Sequence, residues 1–394
     1  MNPSPILDQI IVGYEPLIDR QRGGAGMRLT VVPRQARTVP DAKGLLQAVL
    51  QAFPAPSTVL LNLADEGLLD AMLAEKLEPH VVLEVPAFLA DDHARADQLR
   101  KLRTQGVGLA YSGRAAAEIP PALQSCFRYS VCALDHALPA GVNAASAPRA
   151  VTQAISGVTS VPDLERAFTQ GAAVAIGWPV DSSEALPVKG AVAPELRGIM
   201  DLMQRVDRQE PAEKMEPVLK MDPTLAFRLL RYINSPAFGL RAEVTSFKHA
   251  LMLLGYGRLK RWLALLLASG SRDPAMRPLM RAAVYRGFLM EELGRSTSDA
   301  DIRGEMFVCG VFSLLDQMLR QPFKDLLASV PVPDRVATSL LQPDGPFSGY
   351  LALVRALELA SPVDIREQAE KLFITPGEVT RAVFAALGGA RQVE

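Results

Sequence analysis

From residue 10 to about residue 180, short apolar runs alternate with segments whose apolar residues recur at helical spacing. The runs Ile10 to Ile18, Met27 to Val32, Thr58 to Leu63, Val81 to Val85, Val107 to Tyr111, Tyr129 to Leu134, Ala150 to Ile155 and Ala172 to Trp178 predict strands. Between them Ala42 to Ala52, Gly67 to Lys76, His93 to Thr104 and Val161 to Thr169 predict helices. Near-continuous apolar strands separated by amphipathic helices indicate a parallel sheet covered on both faces, and eight of them suggest a closed barrel. Irregular linkers after the fifth and sixth strands leave closure open there.

Beyond residue 195 the pattern changes to nearly unbroken helical periodicity. The predicted helices are Asp201 to Arg208, Ala212 to Lys220, Ala275 to Leu293, Ala300 to Leu319, Pro331 to Leu341, Tyr350 to Leu359 and Pro362 to Leu372. A last one opens at Thr375, whose spacing to Glu378 forms a capping box. Pro179 to Pro194 contains three prolines and Gly190 and reads as a linker. The expected division is a barrel over 1–180, a linker over 181–194 and an all-α domain over 195–394.

Within the helical half, Met221 to Trp262 reads as helix, turn, extended connector, helix, tight turn, helix. Asp222 can cap a turn that Pro223 opens, and Leu225, Leu229, Leu230 and Ile233 repeat on one face until Pro236 stops it. Ser246 can cap the next helix, with Phe247, Leu251 and Leu254 as its buried stripe, and Gly255 with Gly257 ends it before Leu259 restarts the pattern.

The length of 394 residues calls for two domains, and the 49% apolar and 22% charged fractions are those of a globular protein. Lys plus Arg number 42 against 43 Asp plus Glu, so bulk charge selects neither an acidic nor a basic partner. No apolar run approaches the ~20 residues of a membrane span and no signal-type segment opens the chain, which implies a cytoplasmic protein without a membrane partner. Cys126, Cys132 and Cys309 form no CxxC pair and read as buried free thiols, not as a disulfide or zinc framework.

Asp222-Pro223, Leu229-Leu230, Asn234-Ser235-Pro236, Phe238-Gly239, Ala250 and Leu254-Gly255 resemble the HDOD output domain, a helical relative of the HD phosphohydrolases. The run from Met306 to Asp316 is similar to the version of that domain found behind a degenerate EAL domain. In the first half, Tyr14-Glu15-Pro16-Leu17-Ile18-Asp19 resembles the first strand of an EAL domain, the bacterial cyclic di-GMP phosphodiesterase fold. The resemblance places the motif glutamate twelve residues after the strand's proline, at Arg28. It carries the metal-binding asparagine onto Asn62 and the next carboxylate onto Glu84. Ser112-Gly113 stand in place of the tandem aspartates, Ala133 in place of the lysine, Ser156 and Thr159 in place of two glutamates, and Ile176 in place of the last glutamine.

Two-metal hydrolysis needs several carboxylates around hard cations, and one Asn, one Glu and an arginine do not supply them. The resemblance therefore implies no catalysis, no cofactor and no metal, with Asn62 and Glu84 as structural strand-end residues. Cyclic di-GMP binding without hydrolysis is a second reading, disfavoured because Val32 replaces the arginine beside the motif. An active phosphodiesterase is the third. An HD-type metal site would need histidines, but Val311 to Asp316 holds none and His249 reads as a surface residue.

One local charge imbalance remains. Arg228, Arg231, Arg241, Lys248, Arg258, Lys260 and Arg261 face only Asp222 and Glu243 in this stretch. Arg228 with Arg231, and Arg258 with Arg261, share helix faces at i, i+3. They are the candidate partner-binding residues, suited to an acidic signalling protein; no aromatic row or recognition motif supports nucleic acid. The resemblance thus implies a noncatalytic bacterial signal-transduction protein that works by protein interaction.

Overall fold

The computed structural model describes residues 5–35, 40–113, 119–136, 151–181, 194–221, 225, 228–229, 232–234, 244, 247–268, 274–319, 321–329 and 332–391. Eight strands close a barrel in chain order: β1 (Ile10–Asp19), β2 (Gly24–Pro33), β3 (Val59–Leu63), β4 (Val81–Pro86), β5 (Gly108–Ser112), β6 (Tyr129–Ala133), β7 (Thr152–Ser156) and β8 (Val174–Ile176). Strands β2 to β8 run parallel, and the ladder is continuous from β5 through β6 to β7, where the linkers had left closure open. Around the barrel lie α1 (Ala42–Ala52), α2 (Glu66–Leu73), α3 (Ala87–Ala90), α4 (His93–Thr104) and α5 (Val161–Thr169).

The first strand departs from the expected parallel sheet, pairing antiparallel with both β2 and β8. Only residues 20–23 separate β1 from β2. That is too short for the crossover a parallel pair requires, so the chain returns as a hairpin. Asp19 fixes the turn: its carboxylate accepts from the Gly23 N–H at 2.7 Å, while its own N–H donates to the Gly23 carbonyl at 3.0 Å.

This hairpin creates an edge problem. Strand β8 pairs with β1 only over Leu17–Asp19, which leaves the earlier β1 carbonyls on that side without a strand partner. Substitute donors meet them. The Gly177 N–H donates to the Pro16 carbonyl at 3.2 Å and the Trp178 indole N–H to the Tyr14 carbonyl at 3.0 Å. At the far end the buried Thr380 hydroxyl donates to the Ile10 carbonyl at 2.9 Å.

Helices make up the later region: α6 (Pro194–Asp207), α7 (Ala212–Met221), α8 (Phe247–Ala268), α9 (Arg277–Leu293), α10 (Ala300–Phe312), α11 (Leu315–Leu319), α12 (Phe323–Ser329), α13 (Asp334–Leu341), α14 (Ser348–Glu358), α15 (Pro362–Lys371) and α16 (Pro376–Arg391). The predicted helix from Ala300 to Leu319 is therefore two. Among the described residues no helix is long and apolar enough to cross a membrane. Contacts group the chain otherwise than a boundary at residue 194 would. One unit takes in Met1–Ser183, Arg277–Ala282 and Gly349–Glu394; the other takes in Glu184–Met276 and Ala283–Ser348.

Several contacts show why α15 and α16 belong with the barrel. Gly13 lies so close to the end of α14 that a Cβ there would fall 2.5 Å from the Ala360 Cα. The Arg391 guanidinium donates to the Ala52 carbonyl at 2.9 Å and the Ser57 hydroxyl at 2.6 Å, over the Phe53 ring. The capping box forms as its spacing predicts: the Thr375 N–H donates to Glu378 Oε2 at 2.8 Å and the Glu378 N–H to Thr375 Oγ1 at 3.3 Å.

In the other unit Leu225, Leu229, Ile233, Leu251, Leu254 and Leu259 are buried as their spacing predicts. Gly255 breaks α8 with φ 68° and ψ 166°, at the predicted tight turn. Asn234 clamps the connector, its amide donating to the Val244 carbonyl at 2.9 Å and its Oδ1 accepting from the Val244 N–H at 2.8 Å. Asp222, Pro223, Leu230, Pro236 and Ser246 lie outside the described residues, as does most of the predicted linker.

Thr380→Val tests the role of α16 at the barrel edge. It keeps the shape but leaves the Ile10 carbonyl without its donor, so unfolding free energy should fall by about 1–3 kcal/mol in chemical denaturation. An unchanged midpoint would show that α16 does not support β1.

Candidate functional site

The barrel interior changes character along its strands. Leu60, Val82, Ala110, Val131 and Ala154 make an apolar layer. Because side chains alternate, the residues two positions farther on share its faces: Asn62, Glu84, Ser112, Ala133 and Ser156. A polar layer thus sits at the C-terminal ends of the strands, where barrel enzymes place their chemistry.

Arg28 dominates this layer. The hairpin register sets it directly opposite Glu15, and its Nη1 donates to Glu15 Oε2 at 3.0 Å. Its Nε and Nη2 donate to the two oxygens of Glu84 at 2.6 and 2.9 Å, a bidentate pair. The Ser112 hydroxyl adds a bond to Glu84 Oε2 at 3.0 Å. Asn62 is not drawn into the pair; its amide donates to the Thr30 hydroxyl at 3.3 Å.

The electrostatics follow from burial. Glu84 is 1% exposed, and the Glu15 and Arg28 side chains are nearly enclosed. Burial pushes the Glu15 carboxyl above its ordinary range; Arg28 pulls the other way, and the neighbouring Glu84 charge adds to the rise. For Arg28 burial opposes the charge, but Glu84 and Glu15 outweigh it and raise the guanidinium pKa.

These residues do not fit a two-metal centre. A hard cation needs carboxylate lone pairs, and both Glu84 oxygens are already engaged by a fixed positive charge. Among the described residues no group of three or more His, Cys, Asp or Glu side chains could hold a metal ion. Val32, Ser156 and Ile176 lie on β2, β7 and β8, and Thr159 bonds the Asp163 carboxylate in the capping region of α5.

In the helical unit the four candidate partner-binding arginines have different fates. Arg228 and Arg258 are exposed, and Arg231 lies outside the described residues. Arg261 is a correction: its guanidinium lies 4.1 Å from the Phe307 ring centroid and 4.9 Å from that of Phe288, and donates to Glu291 at 2.5 Å. Its side chain is part-buried, 29% exposed, and held by these contacts. His249 is exposed.

Two polar residues escaped the sequence reading. Glu15 was legible in principle, because a hairpin with a fixed turn fixes which residue faces Arg28. Arg286 carried no such signal; it is buried, and its Nη1 donates to the Ser313 hydroxyl at 3.0 Å.

Fold and site together define an eight-stranded barrel with an ion-paired interior, followed by a helical region that carries an HDOD domain. Residues 194–319 match the HDOD domain family. A segment of 162 residues is 27% identical to cyclic di-GMP phosphodiesterase CdgJ of Vibrio cholerae, covering 41% of this chain and 38% of that protein. A segment of 138 residues is 28% identical to the uncharacterized protein YuxH of Bacillus subtilis, covering 34% of each. The chain therefore spans well under half the length of these relatives. Among solved structures, BlrP1 of Klebsiella pneumoniae with calcium and cyclic di-GMP superposes with a TM-score of 0.35 at 14% identity, over 46% of this chain and 58% of that one. The PaMucR phosphodiesterase complex with cyclic di-GMP gives 0.34 at 17% identity, over 44% and 91%.

Arg28→Met leaves two buried carboxylates without a counter-charge and should cost about 3–5 kcal/mol of barrel stability, read by chemical denaturation. Glu15→Gln should flatten the pH dependence instead. With its folded pKa raised, Glu15 contributes stability that is fully present below the ordinary carboxylate range and lost as pH rises through the folded value. The variant should therefore lose less melting temperature than the parent as pH rises above the ordinary carboxylate range.

For the helical unit, Arg261→Ala should lower the melting temperature, whereas Arg228→Glu with Arg258→Glu should leave it within about 0.5 kcal/mol of the parent. Equal melting curves for all three proteins would remove the structural role assigned to Arg261.

Proposed function

We propose that this protein is a noncatalytic signal-transduction protein of the degenerate EAL and HDOD type, whose output is protein–protein interaction. The observation that carries this reading is the Arg28–Glu84 pair. The guanidinium stands where the resemblance requires a metal-binding glutamate, and it occupies both oxygens of the carboxylate retained from that pattern. Ser112 and Gly113 supply no carboxylate in place of the tandem aspartates. A barrel so arranged keeps a folded scaffold and gives up the means to generate a metal-bound hydroxide.

Output then rests on the helical unit, and the HDOD match supports placing it there. Exposed Arg228 and Arg258 suit carboxylates of an acidic partner, mainly by raising association rate. The reading places the protein in the cytoplasm and requires no cofactor.

A second reading is a cyclic di-GMP receptor without hydrolysis. The sequence relation to a cyclic di-GMP phosphodiesterase favours it, while Val32 in place of the motif-side arginine weighs against it.

Purified protein with Mg²⁺ or Mn²⁺ should leave cyclic di-GMP intact, and Arg28→Glu alone should not confer turnover, because the aspartates would still be missing. Metal-dependent hydrolysis abolished by Glu84→Ala would refute the noncatalytic assignment. Calorimetry with cyclic di-GMP separates the two remaining readings: saturable heat marks the receptor, its absence the scaffold.

A further inference from the structure

We propose that the base of the barrel, the end at which its parallel strands begin, is a cationic docking face for the surface of an anionic lipid bilayer. The inference is independent of what the barrel mouth or the helical unit binds. It concerns attachment to a surface, not a span.

Four arginines from separate segments meet at this end. Arg20 follows the last residue of β1, which pairs with the first residue of β8. Arg128 immediately precedes β6. Arg103 is in the last turn of α4, and its Nε donates to the Ser125 carbonyl at 3.2 Å, just ahead of Arg128. Arg277 opens α9, with its Nη1 3.5 Å from the carbonyl of Gln21 in the hairpin turn. All four are exposed, and none has an acidic partner among the described residues. A fifth, Arg281, lies so close to the start of β2 that a Cβ on Gly24 would fall 1.4 Å from its Nη1.

The whole chain is nearly neutral, with 42 basic against 43 acidic residues, so positive charge is gathered here and not merely in excess. Nearby acids leave the arc positive. Asp19 binds the Gly23 N–H, and Glu165 holds Arg22. Glu75 and Glu78 precede β4, outside the arc that runs from β6 through β7 and β8 to β1 and β2. A cation in the last turn of a helix is ordinary stabilisation, which accounts for Arg103. It does not account for Arg20 and Arg128 at strand ends, or for Arg277 at a helix start, where the macrodipole opposes it. Arg20 is held by the Phe168 carbonyl at 3.2 Å, and Arg128 lies 5.1 Å from the Tyr129 ring centroid. Neither contact neutralises the charge.

Shape and composition select the occupant. The strand starts of a closed barrel lie round a ring. A flat layer of anionic headgroups meets every charge on that ring at once, whereas a rod such as duplex nucleic acid meets it along one line. Single strands are held by stacking on exposed aromatic rings. Among the described residues of 5–181, the exposed large apolar side chains are Phe88 and Val161, which follow β4 and β7 at the opposite end. The base therefore attracts by charge without inserting, as clustered basic residues do at an anionic leaflet.

Co-sedimentation of the full chain with lipid vesicles tests this. Pure phosphatidylcholine vesicles should leave the protein in solution, vesicles with about 30% phosphatidylserine should retain it, and about 0.5 M salt should release it. Each cation near such a surface contributes about fivefold to partitioning, so Arg20→Gln with Arg128→Gln should lower it about 25-fold. Lys371→Gln on α15 removes the same kind of charge elsewhere and should change nothing. Arg20→Lys with Arg128→Lys keeps the charge but not the guanidinium fork, and should partition as the parent does. Equal behaviour with both vesicle types overturns the proposal, as does partitioning indifferent to a folded glutamine pair. Retention of a duplex oligonucleotide without retention of anionic vesicles overturns it in favour of a nucleic-acid face. Loss of binding in the lysine pair overturns it in favour of a partner that needs bidentate pairing. Melting curves show which variants fold; should the glutamine pair not fold, the vesicle contrast and the lysine pair decide.

Discussion

A guanidinium buried among carboxylates constrains the barrel more than any other group in it. Arg28 reaches Glu15 on one neighbouring strand and, past β3, both oxygens of Glu84. Each group would be expensive to bury alone. Together they form a network whose geometry ties β1, β2 and β4, with Ser112 joining from β5. One positive charge faces two carboxyls; burial is the main cause that holds the Glu15 carboxyl above its ordinary range, with Arg28 opposing it and the Glu84 charge adding to it. The apolar layer beneath excludes water and keeps these interactions strong. The same network engages both oxygens of Glu84, so the contacts that tie these strands together also occupy that carboxylate.

The barrel also depends on a distant part of the chain. Turning β1 antiparallel exposes a row of carbonyls that the short β8 does not reach. Gly177 and Trp178 meet two of them locally. Ile10 is met by Thr380, across 370 positions of sequence. Arg391 further ties the last helix to the end of α1. The barrel's unit thus takes in Gly349–Glu394, which follow in sequence the residues that match the HDOD family.

Within the helical unit the same residue type does opposite things. Arg258 stands exposed, whereas Arg261, one turn later, is fixed against Phe288, Phe307 and Glu291. Asn234, one of the residues that carries the HDOD resemblance, acts through its amide on the backbone of Val244.

Periodicity along the chain was enough to place the eight strands, most of the helices, the Gly255 break and the Thr375–Glu378 capping box, because each arises from neighbours within a few residues. Residue identity put Arg28, Ser112 and Gly113 at the positions where the resemblance expects carboxylates. The tertiary structure alone decided the direction of β1, the pairing of Glu15 with Arg28, the withdrawal of Arg261 and the allegiance of α15 and α16. An apolar stripe states that a helix must be covered but not by what, and a charged side chain does not carry the sign of its eventual neighbour. Both are settled only when segments far apart in sequence meet.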